Sequence, residues 1–157
     1  RRTTDNSRNY DKISRSNSSS SWLIMKTVWF VDDDVEMSHA ISLILGLLEY
    51  KTRAFHDARS TVYALKAGEC PDVLILDISM PEVTGVDLLE YIRKRMGFHD
   101  LPILMLSSEA TDVQVDQALE LGANGFIAKP VTIDELEAAI EKALKTNGGS
   151  GALPGPK

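Results

Sequence analysis

The chain has 157 residues, 43% of them hydrophobic, and a formal net charge of −6. This length suits one domain with a substantial core, and no apolar run is long enough for a membrane-spanning helix or a signal peptide. Residues 25–146 carry 21 acidic and 11 basic side chains, and so acidic a body argues against a nucleic-acid-binding surface. Cys70 is the only cysteine, so no disulfide can form within the chain, and we expect a reducing, cytoplasmic location.

The two ends of the chain differ in composition from the middle. Residues 1–24 are rich in Ser, Asn and Arg without an apolar period, which predicts a flexible segment. An expression leader preceding Met25 is the favoured interpretation, and a basic regulatory tail is the alternative. Residues 147–157 begin Asn-Gly-Gly-Ser-Gly and predict a flexible tail, or a linker to a second domain. We therefore expect one folded domain over residues 25–146.

Within that domain, strand and helix signals alternate five times. The strand signals are short apolar runs that end at polar or turn residues, at 28–31, 52–55, 73–77, 103–106 and 126–128. After each strand, apolar residues recur at helical spacing, over about 37–48, 58–65, 86–92, 115–119 and 132–144. Asp34, Thr84 and Thr132 stand where helix N-caps are expected. This alternation predicts an α/β fold with a parallel sheet covered by helices on both faces.

The third strand signal leads directly into a carboxylate. Residues 73–76 are four consecutive aliphatic side chains, typical of a strand buried on both faces, and Asp77 follows them. Pro81 cannot continue the strand. In open α/β sheets the carboxyl edge is where ligands bind, although a lone Asp in this place more often caps the next helix.

Asp77 is not alone, because four of the five strand signals end in polar side chains. These are Asp32, Asp33 and Asp34 after the first, Asp77 after the third, Ser107 and Ser108 after the fourth, and Lys129 after the fifth. Right-handed crossovers place all the strand ends on one edge of the sheet. Clustered carboxylates repel one another unless a cation neutralises them, and hard oxygen ligands suit Mg²⁺. The pattern predicts a divalent cation held by Asp33 and Asp77 and phosphoryl transfer to Asp77, with Ser107 and Lys129 holding the phosphoryl oxygens.

These residues, together with Met80-Pro81 and Gly85, resemble the receiver domain of bacterial two-component response regulators, in particular the chemotaxis-type single-domain regulators. The resemblance covers about residues 26–145, and the whole set in order is far more specific than any one short motif. It implies a flavodoxin-like, doubly wound sheet of five parallel strands in the order 2-1-3-4-5 with five helices.

The resemblance also implies the roles of the site residues. Asp77 would accept a phosphoryl group from a sensor histidine kinase or a phosphotransfer domain. Asp33, Asp77 and the backbone carbonyl of Ser79 would bind Mg²⁺, or alternatively Mn²⁺, and Asp32 would act through a water molecule. Asp34 would cap the first helix instead of binding metal.

Two further residues take the positions of the family's conformational switch. Ser107 stands where relatives often have Thr, and Phe126 stands where they often have Tyr. The surface formed by the fourth helix, fifth strand and fifth helix would then engage a downstream protein target or form a homodimer, with no role for nucleic acid or a membrane. The Lys129-Pro130 peptide bond is predicted to be cis.

Two other functions are weighed against a phosphorylatable switch, whose only catalysis would be its own phosphorylation and dephosphorylation. A degenerate receiver would bind partners without phosphorylation, but the complete acidic set, Ser107 and Lys129 argue against it. An aspartate-nucleophile phosphatase of the haloacid dehalogenase type would need a second Asp two residues after Asp77, where the chain has Ser79. The basic run Arg93-Lys94-Arg95 is interpreted as a helix end at which the helix dipole favours positive charge, with a partner contact as the less favoured alternative.

Overall fold

A computed structural model describes residues 25–109 and 111–148, in which five strands alternate with five helices. The strands are β1 (Thr27–Val31), β2 (Lys51–Phe55), β3 (Val73–Asp77), β4 (Ile103–Ser107) and β5 (Gly125–Ala128). The helices are α1 (Val35–Leu47), α2 (Ala58–Lys66), α3 (Gly85–Glu90), which continues as a π-helical turn (Tyr91–Arg95), α4 (Asp112–Glu120) and α5 (Ile133–Gly148). The predicted leader, residues 1–24, lies outside the described residues. So does most of the predicted tail, although α5 extends two residues into it.

The five strands form one parallel sheet in the order β2-β1-β3-β4-β5, which confirms the predicted topology. β3 lies at the centre, with β1 and β4 as its neighbours. The register pairs Val31 with Leu76 and Asp77 with Leu106, so the ends of these three strands are level. Residues that directly follow β1, β3 and β4 therefore meet at one edge.

Helices cover both faces of the sheet, and β3 contributes to both cores. Leu74 and Leu76 face the core beneath α2, α3 and α4, whereas Val73 and Ile75 face the core beneath α1 and α5. All five β3 residues are buried, as the unbroken aliphatic run predicts. Because apolar burial is the dominant stabilising contribution, this double packing fixes the end of β3, and with it Asp77, in place.

The predicted helix N-caps are confirmed. Asp34 accepts hydrogen bonds from the backbone N–H groups of the first turn of α1, and Thr84 forms a reciprocal capping box with Asp87. Thr132 Oγ1 accepts from the Glu135 backbone N–H at 3.2 Å. Along the described part of the chain, none of the helices combines the length and apolar character that crossing a bilayer requires.

Backbone geometry at three positions is unusual. The Lys129-Pro130 peptide bond is cis, which confirms the prediction. Glu49 and Glu82 adopt left-handed φ angles of 65° and 66°, a region that favours glycine. Glu49 follows the C-cap of α1, where its N–H donates to the Gly46 carbonyl at 3.1 Å, as in the glycine-terminated ends of many helices.

The basic run lies at the helix end, as predicted, but its three side chains differ in exposure. Lys94 and Arg95 are exposed, but Arg93 is only 7% exposed and points into the protein from the π-helical turn. The buried positions of this segment, Gly85, Leu88, Leu89, Ile92 and Arg93, follow the i, i+3, i+4, i+7, i+8 spacing of one helix face, so Arg93 continues the buried face of α3.

Candidate functional site

Three carboxylates meet at the carboxyl edge of the sheet. Asp77 ends β3, and Asp32 and Asp33 directly follow β1 on the neighbouring strand. One oxygen from each of the three lies within 4.8 Å of the others. Asp32 and Asp77 are 1% and 4% exposed, whereas Asp33 is open to solvent. Two buried acids and one accessible acid therefore form a cluster that a small ion can reach.

Asp32 is held by contacts to both its side chain and its backbone. Its Oδ1 accepts from the Asp34 backbone N–H at 2.9 Å, and its Oδ2 lies 3.4 Å from Lys129 Nζ. His56 Nδ1 lies 3.1 Å from the Asp32 backbone carbonyl. No spacing in the sequence marks His56 as a site residue, although its place just after β2 indicates that it lies at this edge. We regard His56 as a residue that orients the loop carrying Asp32 and Asp33.

Lys129 brings the one positive side chain that contacts the acidic cluster within the described residues. Its ammonium lies 3.4 Å from both Asp32 Oδ2 and Asp77 Oδ1. The backbone places it there because the Lys129 N–H donates to the Ser107 carbonyl at 2.8 Å, in continuation of the β4–β5 pairing. One ammonium therefore faces three carboxylates, and the cluster keeps an excess of negative charge.

Burial and this excess of negative charge both act on the Asp77 carboxyl group. Burial raises the pKa of Asp77 to about 6, the charge of Asp32 adds to the increase, and Lys129 opposes it. A cation bound next to these three acids would favour their ionised forms, so the cluster is a candidate cation site. Three carboxylates are the hard oxygen donors that Mg²⁺ and Mn²⁺ prefer, so the residues present fit such an ion.

The other predicted residues take separate positions around the cluster. The Ser79 backbone N–H donates to Asp77 Oδ1 at 3.4 Å, which places Ser79 next to the acids. Ser107 ends β4 and is 1% exposed, and its Oγ accepts from the Glu109 N–H at 3.1 Å. Phe126 is half-buried on β5, opposite Met105. The hydroxyl of Ser107 therefore bonds to the β4–α4 loop, and the Phe126 ring packs on the core beneath α2, α3 and α4.

Gly85 is a part of the site that carries no side chain. A Cβ at this position would lie 2.2 Å from the Asp77 backbone carbonyl oxygen, far inside van der Waals contact. The Gly85 N–H also donates to the Ile78 carbonyl at 3.0 Å. Only glycine allows the start of α3 to pack this closely against the backbone that carries Asp77.

Comparisons with known proteins agree with this geometry. The family model described as "Response regulator receiver domain" matches residues 28–141. Chemotaxis protein CheY of Pseudomonas aeruginosa is 33% identical over 122 residues, which cover 78% of this chain and 98% of that protein. The CheY homolog of Campylobacter jejuni is 36% identical over 129 residues, covering 78% and 95%. A CheY-like receiver domain protein from Methanospirillum hungatei superposes with a TM-score of 0.73 at 24% identity, covering 81% of this chain and 99% of that one, and this likeness speaks for the fold alone.

Proposed function

The chain belongs to the response regulator receiver domain family, and we propose that Asp77 is the phosphoacceptor of a magnesium-dependent signalling switch. The phosphoryl donor is a phosphohistidine on a sensor histidine kinase or a phosphotransfer protein. The observation that carries this proposal is the meeting of Asp32, Asp33, Asp77 and Lys129 at the end of the central strand.

The chemistry assigned to Asp77 is nucleophilic attack on phosphorus. A carboxylate oxygen of Asp77 forms a new O–P bond while the N–P bond of the phosphohistidine breaks. The bonding electron pair stays with the donor imidazole, which leaves as the neutral ring because its other nitrogen carries a proton, so no group on this chain needs to supply one. Lys129, 3.4 Å from Asp77 Oδ1, is placed to bind one of the phosphoryl oxygens, and Ser107 donates to another from the neighbouring strand.

The proposed metal ligands are oxygen atoms at and around Asp77. Asp33, Asp77 and the backbone carbonyl of Ser79 would hold the ion directly, and Asp32 would act through water. A bound Mg²⁺ or Mn²⁺ supplies positive charge that offsets the repulsion between the carboxylates and the incoming phosphoryl group. Burial, and after it the Asp32 charge, raises the pKa of Asp77, so a cation bound beside it would favour the ionised carboxylate that attacks phosphorus.

The readout is assigned to Ser107 and Phe126. A phosphoryl group on Asp77 offers Ser107 Oγ strong acceptors, which draws the hydroxyl away from its contact with the Glu109 N–H. The Phe126 ring then moves toward the vacated space, and it has no hydroxyl to satisfy there. The surface formed by α4, β5 and α5 changes as a result. A downstream protein target or a second copy of the chain binds that surface.

The phosphatase alternative lacks its general acid. Two residues after Asp77, Ser79 offers no carboxyl group, and its backbone N–H already donates toward Asp77 Oδ1. Sustained turnover of small phosphate esters would favour the phosphatase, whereas a single phosphoryl group per chain favours the switch.

The test of the acceptor uses a small phosphodonor with Mg²⁺ and intact mass spectrometry. The wild type should gain one phosphoryl group, and Asp77→Asn should gain none. Asp116→Asn, an exposed position on α4, is the matched control and should behave as the wild type. Labelling that persists in Asp77→Asn would contradict the assignment.

The test of the switch uses Ser107→Ala. This variant should still accept the phosphoryl group, because Asp77, Lys129 and the metal ligands are intact. The coupled amide chemical-shift changes in β5, seen on adding a phosphoryl mimic, should be lost. A full wild-type pattern of changes in Ser107→Ala would show that another residue is the switch.

A further inference from the structure

A buried arginine lies at the edge of the sheet opposite Asp77. Arg93 projects inward from the π-helical turn that ends α3, and it is 7% exposed. Burial lowers the pKa of its guanidinium, and the charge of Asp100 opposes that shift. A buried cation costs free energy unless its donors are satisfied, and π turns are often found where function requires them. The acceptors of the Arg93 donors therefore show what this buried side chain connects.

The guanidinium joins two connections of the chain. Nε and Nη2 of Arg93 donate to the Gly122 carbonyl at 3.1 and 2.8 Å, and Nη2 also donates to Asn124 Oδ1 at 2.9 Å. Nη1 donates to the Phe98 carbonyl. Arg93 therefore ties the end of α3 and the α3–β4 connection to the connection between α4 and β5.

The same contacts extend to the beginning of β4. Asn124 Oδ1 also accepts from the Ile103 N–H at 2.9 Å, and the Asn124 N–H donates to the Ile103 carbonyl at 2.7 Å. Gly122 has a left-handed φ of 100°, and a Cβ there would lie 3.1 Å from Arg93 Nε. These contacts hold the residues just beyond α4 in place. We call the five residues that make the contacts the Arg93 pin: Arg93, Phe98, Ile103, Gly122 and Asn124.

α4 is held differently at its two ends. Its N-terminal end follows the β4–α4 loop, and Glu109, a described residue of that loop, contacts the candidate site through its N–H, which donates to Ser107 Oγ. Its C-terminal end runs into the Arg93 pin. The helix has nine residues, a length of about 14 Å. A change at Ser107 therefore acts on the N-terminal end of α4, whereas hydrogen bonds to Arg93 hold the residues at its C-terminal end.

We propose that Arg93 is a positioning residue that makes the C-terminal end of α4 a pivot, so that phosphorylation moves α4 mainly at its N-terminal end. The inference rests on the proposed function, because Asp77 and Ser107 provide the movement. It also bears on Phe126, two residues beyond Asn124. With the start of β5 pinned, the Phe126 backbone stays in place and its response is confined to rotation of the side chain.

The test compares Arg93→Lys with Arg95→Lys. Lysine keeps the charge but has one ammonium, which cannot span the Gly122, Phe98 and Asn124 acceptors as the guanidinium does. Arg95 lies in the same π-helical turn and is exposed, so its substitution is a matched control. Amide chemical shifts are recorded with and without beryllium fluoride and Mg²⁺, a mimic of the phosphoryl group.

In the wild type and Arg95→Lys, the shift changes should be large at residues 112–115 and decline to small values at 121–124. In Arg93→Lys the changes at 121–124 should become comparable to those at 112–115. An unchanged gradient in Arg93→Lys, or no gradient in the wild type, would overturn the pivot. If Arg93→Lys is unfolded at the working temperature, Asn124→Ala, which removes one acceptor, decides by the same criterion.

Hydrogen exchange without the mimic tests the Arg93 pin separately from the proposed phosphorylation of Asp77. In Arg93→Lys the Ile103 and Asn124 amides should exchange about tenfold faster relative to the β3 core amides, while Arg95→Lys leaves the ratio unchanged. A uniform acceleration across the protein would mean that Arg93 contributes only to global stability and would overturn the pin. Absence of any response to the mimic, with the exchange result intact, would contradict the proposed function and leave the pin standing.

Discussion

Replacing Asp77 with Asn is expected to stabilise the metal-free protein at neutral and alkaline pH. Burial and the Asp32 charge raise the pKa of Asp77 to about 6 from its ordinary 3.8, despite Lys129. Between these values the folded state binds more protons than the unfolded state. The free energy of unfolding therefore falls as pH rises from about 4 to about 6, and the loss persists at higher pH.

The size of the effect follows from the shift. A change from 3.8 to about 6 is roughly two pKa units, and at about 1.4 kcal/mol per unit it has an upper bound of about 3 kcal/mol. Solvent reaches the cluster beside the exposed Asp33 and screens part of it, so we expect about 1–3 kcal/mol at about pH 8. Near pH 4 and below, Asp77 is protonated and closely resembles the neutral Asn, so the difference should approach zero.

The assay is urea unfolding of the wild type and Asp77→Asn with a chelator present, at several values between about pH 4 and pH 8. Asp116→Asn removes the same charge from an exposed helix position and should show no such pH-dependent gain. Adding Mg²⁺ should narrow the gap, because the ion binds the folded wild type and stabilises it. A gain that is equal at every pH, or a loss of stability at about pH 8, would refute the electrostatic reasoning.

Three further substitutions probe other parts of the molecule. Asp33→Asn should weaken Mg²⁺ binding at least about tenfold, as measured by calorimetry. Asp34→Asn, which keeps the α1 cap, should leave Mg²⁺ binding nearly unchanged. Equal effects of the two substitutions would place the ion elsewhere. Gly85→Ala should cost about 1–3 kcal/mol of unfolding free energy and slow phosphorylation, because its Cβ would lie 2.2 Å from the Asp77 carbonyl oxygen; an unaffected variant would contradict this packing. Glu49→Gly should stabilise the protein by about 1 kcal/mol in urea unfolding, since glycine adopts the left-handed φ without strain; a less stable variant would show that the Glu49 side chain offsets the strain.

The sheet and its polar edge could be predicted because each signal was local and strong. The aliphatic run before Asp77 required a strand buried on both faces, and right-handed connections then required its neighbours to end at the same edge. Asp34, Thr84 and Thr132 were recognisable as caps because each stands just before an apolar helical period. The acidic cluster followed from topology and needed no knowledge of side-chain contacts.

What the sequence could not predict depends on backbone geometry that its residue types conceal. Glu49 and Glu82 occupy left-handed positions where glycine would have been an obvious signal. Arg93 lies on the buried face of α3, four residues after Leu89, but as a charged residue it looks like its exposed neighbours in the sequence. The contact between His56 and the Asp32 carbonyl depends on the pairing of β1 with β2. β2 gave the weakest strand signal of the five because several of its residues are polar and exposed.

The central claim, that Asp77 carries the phosphoryl group, is tested most directly by locating the modification itself. The protein is phosphorylated with Mg²⁺, and the acyl phosphate is reduced with borohydride, which converts a phosphorylated aspartate to homoserine. Peptide sequencing by mass spectrometry then identifies the converted position. Homoserine is expected at position 77, and the aspartates at 32 and 33 should be unmodified. Conversion at Asp32 or Asp33, or a phosphoryl group on a hydroxyl such as that of Ser107, would contradict the central claim.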